Sequence, residues 1–516
     1  MTAPVTPSLT ETPLRPSRIA PIPLAALAAL PGLTTASGAP SGVAVTGITL
    51  RAQQLVPGDL FAALPSLTPG RPHGVDFAAV ALAAGAAAVL TDPVGARHPS
   101  LAGGVVPVLI HPDPRSVLGA LSAQIYGLPS TRLAVLGITG TSGKTTTSYL
   151  LEAGLRAAGA RTGLLGTVQA RIGDQSLPTA FTTPEAPDLQ ALLALMVERG
   201  VTHLSMEVSS HALALGRVAD TAFAVGAFTN LSQDHLDFHA DLEDYFAAKA
   251  LLFDGRAAAE VVCIDDAWGR RLVTDRTRTV ALDGSSGAAT WHGADFTVAP
   301  AGSQAFRAVG PDGFSQSGVV RLPGRFNVTN ALLALAVADA AGADPRLVLR
   351  GIAVAEVPGR MQRVDVGQDF LAVVDYAHKP AAVAALLDAV RAQVPGRLLV
   401  VLGCGGDRDT GKRPLMGAEA AGRADLLVVT DDNPRSEDPA VIRAAMLAGA
   451  RVGPAEVVEI AGRAAAIDYA VARAGTGDAV VVAGKGHETG QQALGVTQPF
   501  SDAEVLARAL ADRSER

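Results

Sequence analysis

Of the 42 basic residues in this 516-residue sequence, five are lysine and 37 are arginine. The lysines are Lys144, Lys249, Lys379, Lys412 and Lys485. A chain with that bias writes arginine wherever any cation will do, so each lysine marks a place that needs an amine. Lys144 belongs to GTSGKTT (140–146), which follows an apolar strand and opens a helix. That is the setting of a phosphate-binding loop. Backbone N–H groups along Gly140, Thr141, Ser142, Gly143 and Thr146, with the Lys144 amine, are expected to hold the β- and γ-phosphates of a nucleotide. The Thr145 hydroxyl is expected on Mg²⁺. The spacing departs from the common loop, because the residue five before Gly143 is Ile138. Lys249 stands in LEDYFAAKALLFDG (242–255), otherwise an ordinary amphipathic helix.

Two further strand ends carry polar clusters. In MEVSSHALALGRV (206–218), Glu207 offers a metal ligand, and Ser209 and His211 are placed to reach a substrate. FTNLSQDHLDFH (228–239) crowds Asn230, Asp234, His235, Asp237 and His239. Such a set suits hard Mg²⁺, which prefers oxygen and accepts an imidazole. Zinc would recruit cysteine or several histidines, and neither Cys263 nor Cys404 is nearby in sequence. Asparagine is as scarce as lysine. Asn230, Asn327, Asn330 and Asn433 are the four, and each falls inside a motif.

These residues need a scaffold of strands that end in loops. The length allows about three domains. With 48% apolar and 18% charged residues, the chain suits large cores and excludes wholesale disorder. A net charge of −7 gives no reason to expect a nucleic acid or an anionic membrane as partner. Two distant cysteines fit a reducing, cytoplasmic compartment. The most apolar stretch, AAVALAAGAAAVL (78–90), is too short to span a membrane. PLAALAAL (23–30) lacks the basic residues directly before it that a cleaved signal would carry, so it reads as a short first helix. A disordered tail is expected over 1–20. A small α/β unit follows over 21–112, a central α/β unit with the phosphate loop over 113–356, and a third over 357–516. VPGRMQRV (357–364) reads as the hinge into the third unit, whose strands FLAVVDYA, RLLVVLGCGG, LLVVTDD and DAVVVAGKG each end in polar or glycine-rich residues. Ligand groups gather at such carboxyl ends.

Taken in order, GTSGKTT, FTTPEAPD, MEVSSHAL, FTNLSQDHLDFH, Lys249, LPGRFNVTNALLALAVA, VPGRMQRV, VVDYAHKP, GCGGDRDTGKRP, DDNPRSEDP and GKGHET give the chain its likeness. It resembles the Mur ligases over roughly residues 24–510, and within them the branch adding the third peptide residue of the peptidoglycan precursor. The resemblance implies a three-domain α/β architecture. A small N-terminal domain binds the UDP-sugar, a central P-loop ATPase-like domain binds ATP, and a Rossmann-like C-terminal domain binds the amino acid. It also implies a monomer acting on small molecules.

The resemblance further implies that CO₂ carbamylates Lys249 and that the carbamate helps hold Mg²⁺ with Thr145, Glu207 and His235. The chemistry is sound, since a lysine amine can lose its proton and attack CO₂ whereas arginine stays protonated. Lys144, Glu207, His235 and Lys249 are the implied catalytic set. Asn327, Arg360 and Asp375 match positions around ATP, with His378 and Lys379 beside them. Thr182, Thr183, Ser209 and Arg217 match those holding the muramoyl-dipeptide, and Leu50 and Arg51 those near uridine. Arg408, Asp432, Asn433, Pro434, Arg435, Gly484 and Glu488 match the amino-acid site. Relatives adding meso-diaminopimelate carry Asp-Asn-Pro-Arg, and an arginine can grip the distal carboxylate of that amino acid with two hydrogen bonds. Lysine or ornithine would leave Arg435 unpaired at a cost of roughly 1–3 kcal/mol. Ornithine and lysine remain the alternatives.

Two departures stand out. The family's uridine-contacting Ser-Arg reads Leu50-Arg51, and Cys263 stands where branch members often have asparagine. A folate-polyglutamate-type ligase shares the core, but DNPRSEDP, GKGHET and a full first domain argue against it. A silent UDP-sugar sensor would not need Lys144, Glu207, His235 and Lys249 together.

Overall fold

The computed structural model describes residues 14–514 except 37–41, 69, 105, 178–181, 285–288 and 299–301. Residues 1–13 of the expected tail lie outside that set. The rest of the tail differs from expectation, because it is anchored from Arg15 on. The Arg15 guanidinium grips buried Asp59 with two bonds of 2.6 and 2.7 Å, and Ser17 N–H donates to Glu198 at 2.8 Å. A buried carboxylate needs such a partner.

Three sheets follow along the chain. The first has the spatial order Thr34–Ala36, Val108–Ile110, Ala88–Thr91, Asp59–Ala62, Gly47–Thr49, parallel except for its first strand. The short helix Leu24–Ala28 buries Leu24 and Leu27 against it. Helix Leu118–Ile125 joins the same apolar cluster.

The central sheet has eleven strands. Its parallel middle runs Thr162–Leu165, His203–Glu207, Ala134–Thr139, Phe223–Phe228, Ala257–Cys263, Thr277–Asp283 and Trp291–Val298. Strands buried on both faces read as continuous apolar runs, as AVLGIT does. The segment 277–320 supplies four strands, of which Gln304–Val309 and Ser315–Val320 close the edge antiparallel. Helices Lys144–Ala157 and Arg325–Ala340 cover one face, and Ala186–Glu198 packs on the other.

The third sheet runs Gln362–Arg363, Leu371–Asp375, Ala479–Ala483, Leu398–Leu402, Leu426–Val429, Glu456–Glu459, parallel after its first strand. Its four central strands are those expected from sequence. Helices Pro380–Arg391, Lys412–Ala421 and Pro439–Ala450 pack on one face, and Arg463–Arg473 with Asp502–Ser514 on the other. One apolar cluster continues from the central sheet through Val357, Met361 and Ala377 into this unit. Among the described residues, no helix is long and apolar enough to cross a membrane.

Candidate active site

The phosphate loop leaves the strand Ala134–Thr139 and enters the helix that starts at Lys144. Two of its glycines are required by space as well as by backbone angle. Gly140 has φ +140°, and a Cβ there would fall 1.8 Å from Thr229 Oγ1; Gly143 has φ +87°, and its Cβ would meet Asn330 Oδ1 at 2.5 Å. Asn230 braces the loop: its Oδ1 accepts from Ser142 N at 3.0 Å, and its Nδ2 donates to Ser142 O at 3.1 Å. Asn230 and Asn327 thus hold backbone in place. Asn330 donates to Asn327 Oδ1 at 3.1 Å, and Asn327 to Pro323 O at 2.7 Å.

A cavity of about 900 Å³ opens above the loop. It brings together Thr141 to Thr146, Thr182, Thr183, Glu207, Ser209, Arg217, His235, Lys249, Asn327, Arg360, Asp375 and Arg408. Glu207 is buried at the end of its strand. Its Oε1 accepts from Thr145 Oγ1 at 2.9 Å and from Thr167 N at 2.9 Å, and its Oε2 from Thr167 Oγ1 at 3.1 Å. Thr183 Oγ1 donates to Glu207 O at 3.0 Å, and Ser209 caps the helix that starts at Ser210. Arg217 pairs with Glu185 at 2.8 Å.

Lys249 is 1% exposed, on the helix Leu242–Ala250 that Asp241 caps. Its amine donates to Gly140 O at 2.8 Å and lies 4.3 Å from the centre of the Tyr245 ring. Burial, with Lys144 and Lys379 adding repulsion, pushes its pKa well below the ordinary value. Lys144 donates to Gly140 O at 2.8 Å and Thr141 O at 2.9 Å, and burial with Lys379 lowers it to about 8. Three amines in one cleft thus favour the neutral form where burial is deepest.

His235 sits at φ +55°, with Nε2 3.1 Å from Asp234 Oδ2. Burial, with Lys379 and Lys144, lowers its imidazole to about 3. His235 is therefore neutral near pH 7 and available as a ligand. Burial pushes the Asp234 carboxyl up, but Lys379 and His235 outweigh it and hold it well below the carboxylate range. The Asp234–Lys379 pair, 2.6 Å long and largely buried, ties the central unit to the third. His239 and Asp237 take no part. His239 contacts Ser210 and Asp244 at 3.0 and 3.2 Å, and Asp237 is exposed.

A second tie across the units is Arg360, whose guanidinium donates to Thr145 Oγ1 at 3.2 Å and lies 4.5 Å over the Tyr376 ring. Asp375 spends one oxygen on the hinge, accepting from Met361 N at 2.7 Å, and the other on its own turn, accepting from Ala377 N at 2.7 Å. It lines the cavity, but these bonds make it a brace for the turn.

Among the described residues, no three His, Cys, Asp or Glu side chains converge on one point. Thr145, Glu207 and His235 bring a hydroxyl, a carboxylate and an imidazole to the cavity. Such a set fits a hard cation that completes its shell with phosphate oxygens and water.

The remaining expected residues lie elsewhere. Arg51 pairs with Asp188 at 2.7 Å, joining the first unit to the helix Ala186–Glu198, with Leu50 beside it. Asp432, Asn433, Pro434, Arg435, Gly484 and Glu488 form a second cluster at the carboxyl ends of the third sheet. Asn433 Nδ2 donates to Glu488 Oε2 at 2.7 Å, and Arg435, at φ +53°, donates to Gly406 O at 2.5 Å. The loop through Gly406 and Asp407 carries Arg408 from this cluster to the cavity wall. A Cβ on Gly484 would fall 2.6 Å from Asp432 Oδ2, so glycine is required there. Sequence reasoning missed Thr167, which carries no motif, and gave Lys485 no role although its residue type had already marked it.

The Mur ligase middle domain matches residues 138–338, and the Mur ligase glutamate ligase domain matches residues 359–486. The chain belongs to the Mur ligase family. It is 53% identical over 483 residues to the UDP-N-acetylmuramoyl-L-alanyl-D-glutamate--2,6-diaminopimelate ligase of Corynebacterium glutamicum, covering 91% of this chain and 92% of that one. The ligase of the same name from Streptomyces coelicolor is 52% identical, over 96% and 98% of the two chains. A solved structure of a ligase with that name superposes with a TM-score of 0.65 at 33% identity, over 91% of this chain and 96% of that one.

Proposed function

We propose that this chain is the ATP-dependent ligase that joins meso-2,6-diaminopimelate to the D-Glu carboxylate of UDP-N-acetylmuramoyl-L-Ala-D-Glu, releasing ADP and phosphate in the cytoplasm. The observation that carries the reading is the likeness to ligases of that name over more than nine-tenths of both chains. The cavity supports it, with a phosphate loop on one wall and Arg408 leading to the Asp-Asn-Pro-Arg cluster on another.

The γ-phosphoryl of ATP passes to the D-Glu carboxylate, giving an acyl phosphate. The amine of diaminopimelate adds to that carbonyl, and phosphate leaves from the tetrahedral intermediate. The protein's part is positioning and charge stabilisation. The loop N–H groups and Lys144 hold the phosphates, and Arg360 reaches over Thr145 from the third unit. Thr182, Thr183, Ser209 and Arg217 line the cavity where the dipeptide would lie, and Arg51 serves the uridine end. Glu488, held by Asn433, takes the ammonium end of the amino acid, and Arg435 its distal carboxylate.

Thr145, Glu207, His235 and a carbamate on Lys249 would hold Mg²⁺, which when bound supplies positive charge to the transferring oxygens. The carbamate forms when the neutral Lys249 amine adds to CO₂, making an N–C bond and releasing one proton. Burial of that amine beside two other lysines supports this step, because a protonated amine has no lone pair to offer.

The test is phosphate release and product mass with ATP, Mg²⁺ and the UDP-muramoyl-dipeptide, supplying meso-diaminopimelate, L-lysine or L-ornithine separately. Turnover with diaminopimelate alone is expected. Preference for lysine or ornithine would retain the ligase and overturn the role of Arg435. No turnover with any amine would overturn the ligase.

A further inference from the structure

Lys485 is the one lysine in this chain with 0% exposure. It follows Gly484 at the carboxyl end of the strand Ala479–Ala483, beneath the amino-acid cluster. Its ammonium makes three bonds, to Asn433 Oδ1 at 3.0 Å, to Glu488 Oε2 at 2.9 Å and to Gly490 O at 2.7 Å. A lysine head has three donors, and three acceptors meet them here. The acceptors come from three segments: the Asp-Asn-Pro-Arg loop, the turn at Glu488, and the start of the hairpin Gly490–Ala493 and Val496–Pro499.

The first strand and turn of the hairpin are bound to the same loop. Gln492 N donates to Asn433 Oδ1 at 2.9 Å, Gln491 Nε2 to Asp432 O at 2.6 Å, Arg435 N to Gln492 O at 3.0 Å, and Leu494 N to Arg435 O at 2.5 Å. With Asn433 Nδ2 also on Glu488 Oε2, Asn433 and the carboxylate proposed to take the ammonium share one buried cation between them. Lysine's three ammonium donors match these three acceptors one for one.

We infer that Lys485 is a positioning residue for the amino-acid substrate, fixing Asn433, Glu488 and the 490–499 hairpin as one rigid recognition surface. The inference rests on the ligase reading above. Lys485 touches no reacting atom in this scheme, so it acts on binding of the amine and leaves the nucleotide half of the site alone.

The experiment compares the wild type with Lys485→Met, which keeps the stem and removes the charge and all three donors. KM is measured separately for diaminopimelate, ATP and the UDP-muramoyl-dipeptide. KM for diaminopimelate is expected to rise roughly 10- to 100-fold, the loss of charged hydrogen bonds. The other two are expected to stay within about twofold, and kcat at saturating amine is expected to fall far less than KM rises. Equal changes in all three constants, or an unchanged KM for diaminopimelate, would overturn the inference. If Lys485→Met fails to fold by circular dichroism, Lys485→Gln replaces it. Gln keeps two donors, and the same split at smaller amplitude is expected and the same results overturn it. Absence of wild-type turnover with any diamino acid would overturn the ligase reading and this inference with it.

Discussion

Replacing Lys249 by methionine separates a chemical role from a structural one. The side chain is buried on a capped helix and makes one hydrogen bond, to Gly140 O. Methionine keeps most of the stem, so the structural loss is that one bond, about 1 kcal/mol. In a chain of this size the melting temperature should fall by about 2 °C or less. Loss of the proposed carbamate on Lys249 should instead lower kcat by roughly 100- to 1000-fold, the scale of removing one preorganised electrostatic contact. Phosphate release under the full substrate set reads the second quantity and a thermal melt reads the first. Added acetate or formate should restore part of the rate in Lys249→Ala, where space is left for a free carboxylate. Lys249→Arg should stay inactive, since its guanidinium cannot take up CO₂. Isotope-labelled bicarbonate should give a carbamate carbon resonance in the wild type and none in Lys249→Met. Wild-type turnover by Lys249→Arg, or no labelled carbamate in the wild type, would refute the reasoning.

Three further outcomes follow from particular contacts. His487, beside Arg360 and Tyr376, is lowered to about 4 by burial and by Arg360, against about 6.5 in an unfolded chain. The unfolded chain binds this proton first as pH falls, so stability present above pH 6.5 is lost down to about pH 4, at up to about 1.4 kcal/mol per pH unit. Denaturant titrations at several pH values should show a shallower acid slope in His487→Gln. Arg463 and Asp502 form an ion pair with both side chains at 0% exposure, and Asp502→Ala leaves the guanidinium buried and unpaired. A loss of about 3–5 kcal/mol is expected in urea unfolding of the third unit, against little change for a surface pair such as Arg271–Glu243. Asp234→Asn removes the partner of Lys379 in the tie between the central and third units, so the ligand-free protein should show a larger radius of gyration in solution scattering. An unchanged radius would mean that the shared apolar cluster and the Arg360–Thr145 bond suffice to hold the two units together.

Much of this molecule follows from its sequence because much of it is local. The phosphate loop is seven consecutive residues at a strand–helix junction, and its glycines need angles that only glycine takes easily. The strands of the third sheet are apolar runs between polar ends, and parallel burial demands such runs. The rarity of lysine singled out the five amines before any contact was known.

What the tertiary structure decided are the partners, because these lie far apart along the chain. Lys249 meets Gly140 across 109 residues, and Thr167 meets Glu207 across 40. Asp375 sits in a motif beside the nucleotide site, yet its oxygens are taken by backbone N–H groups of the hinge and of its own turn. Lys485 was visible as an unusual residue, but the acceptors that define it, Asn433 and Gly490, meet only when the third sheet brings one strand end beside another. Arg15, read as tail, is fixed by the buried charge of Asp59. Residue type announces which chemistry is possible at a position, and only folding supplies the second group that a hydrogen bond or an ion pair requires.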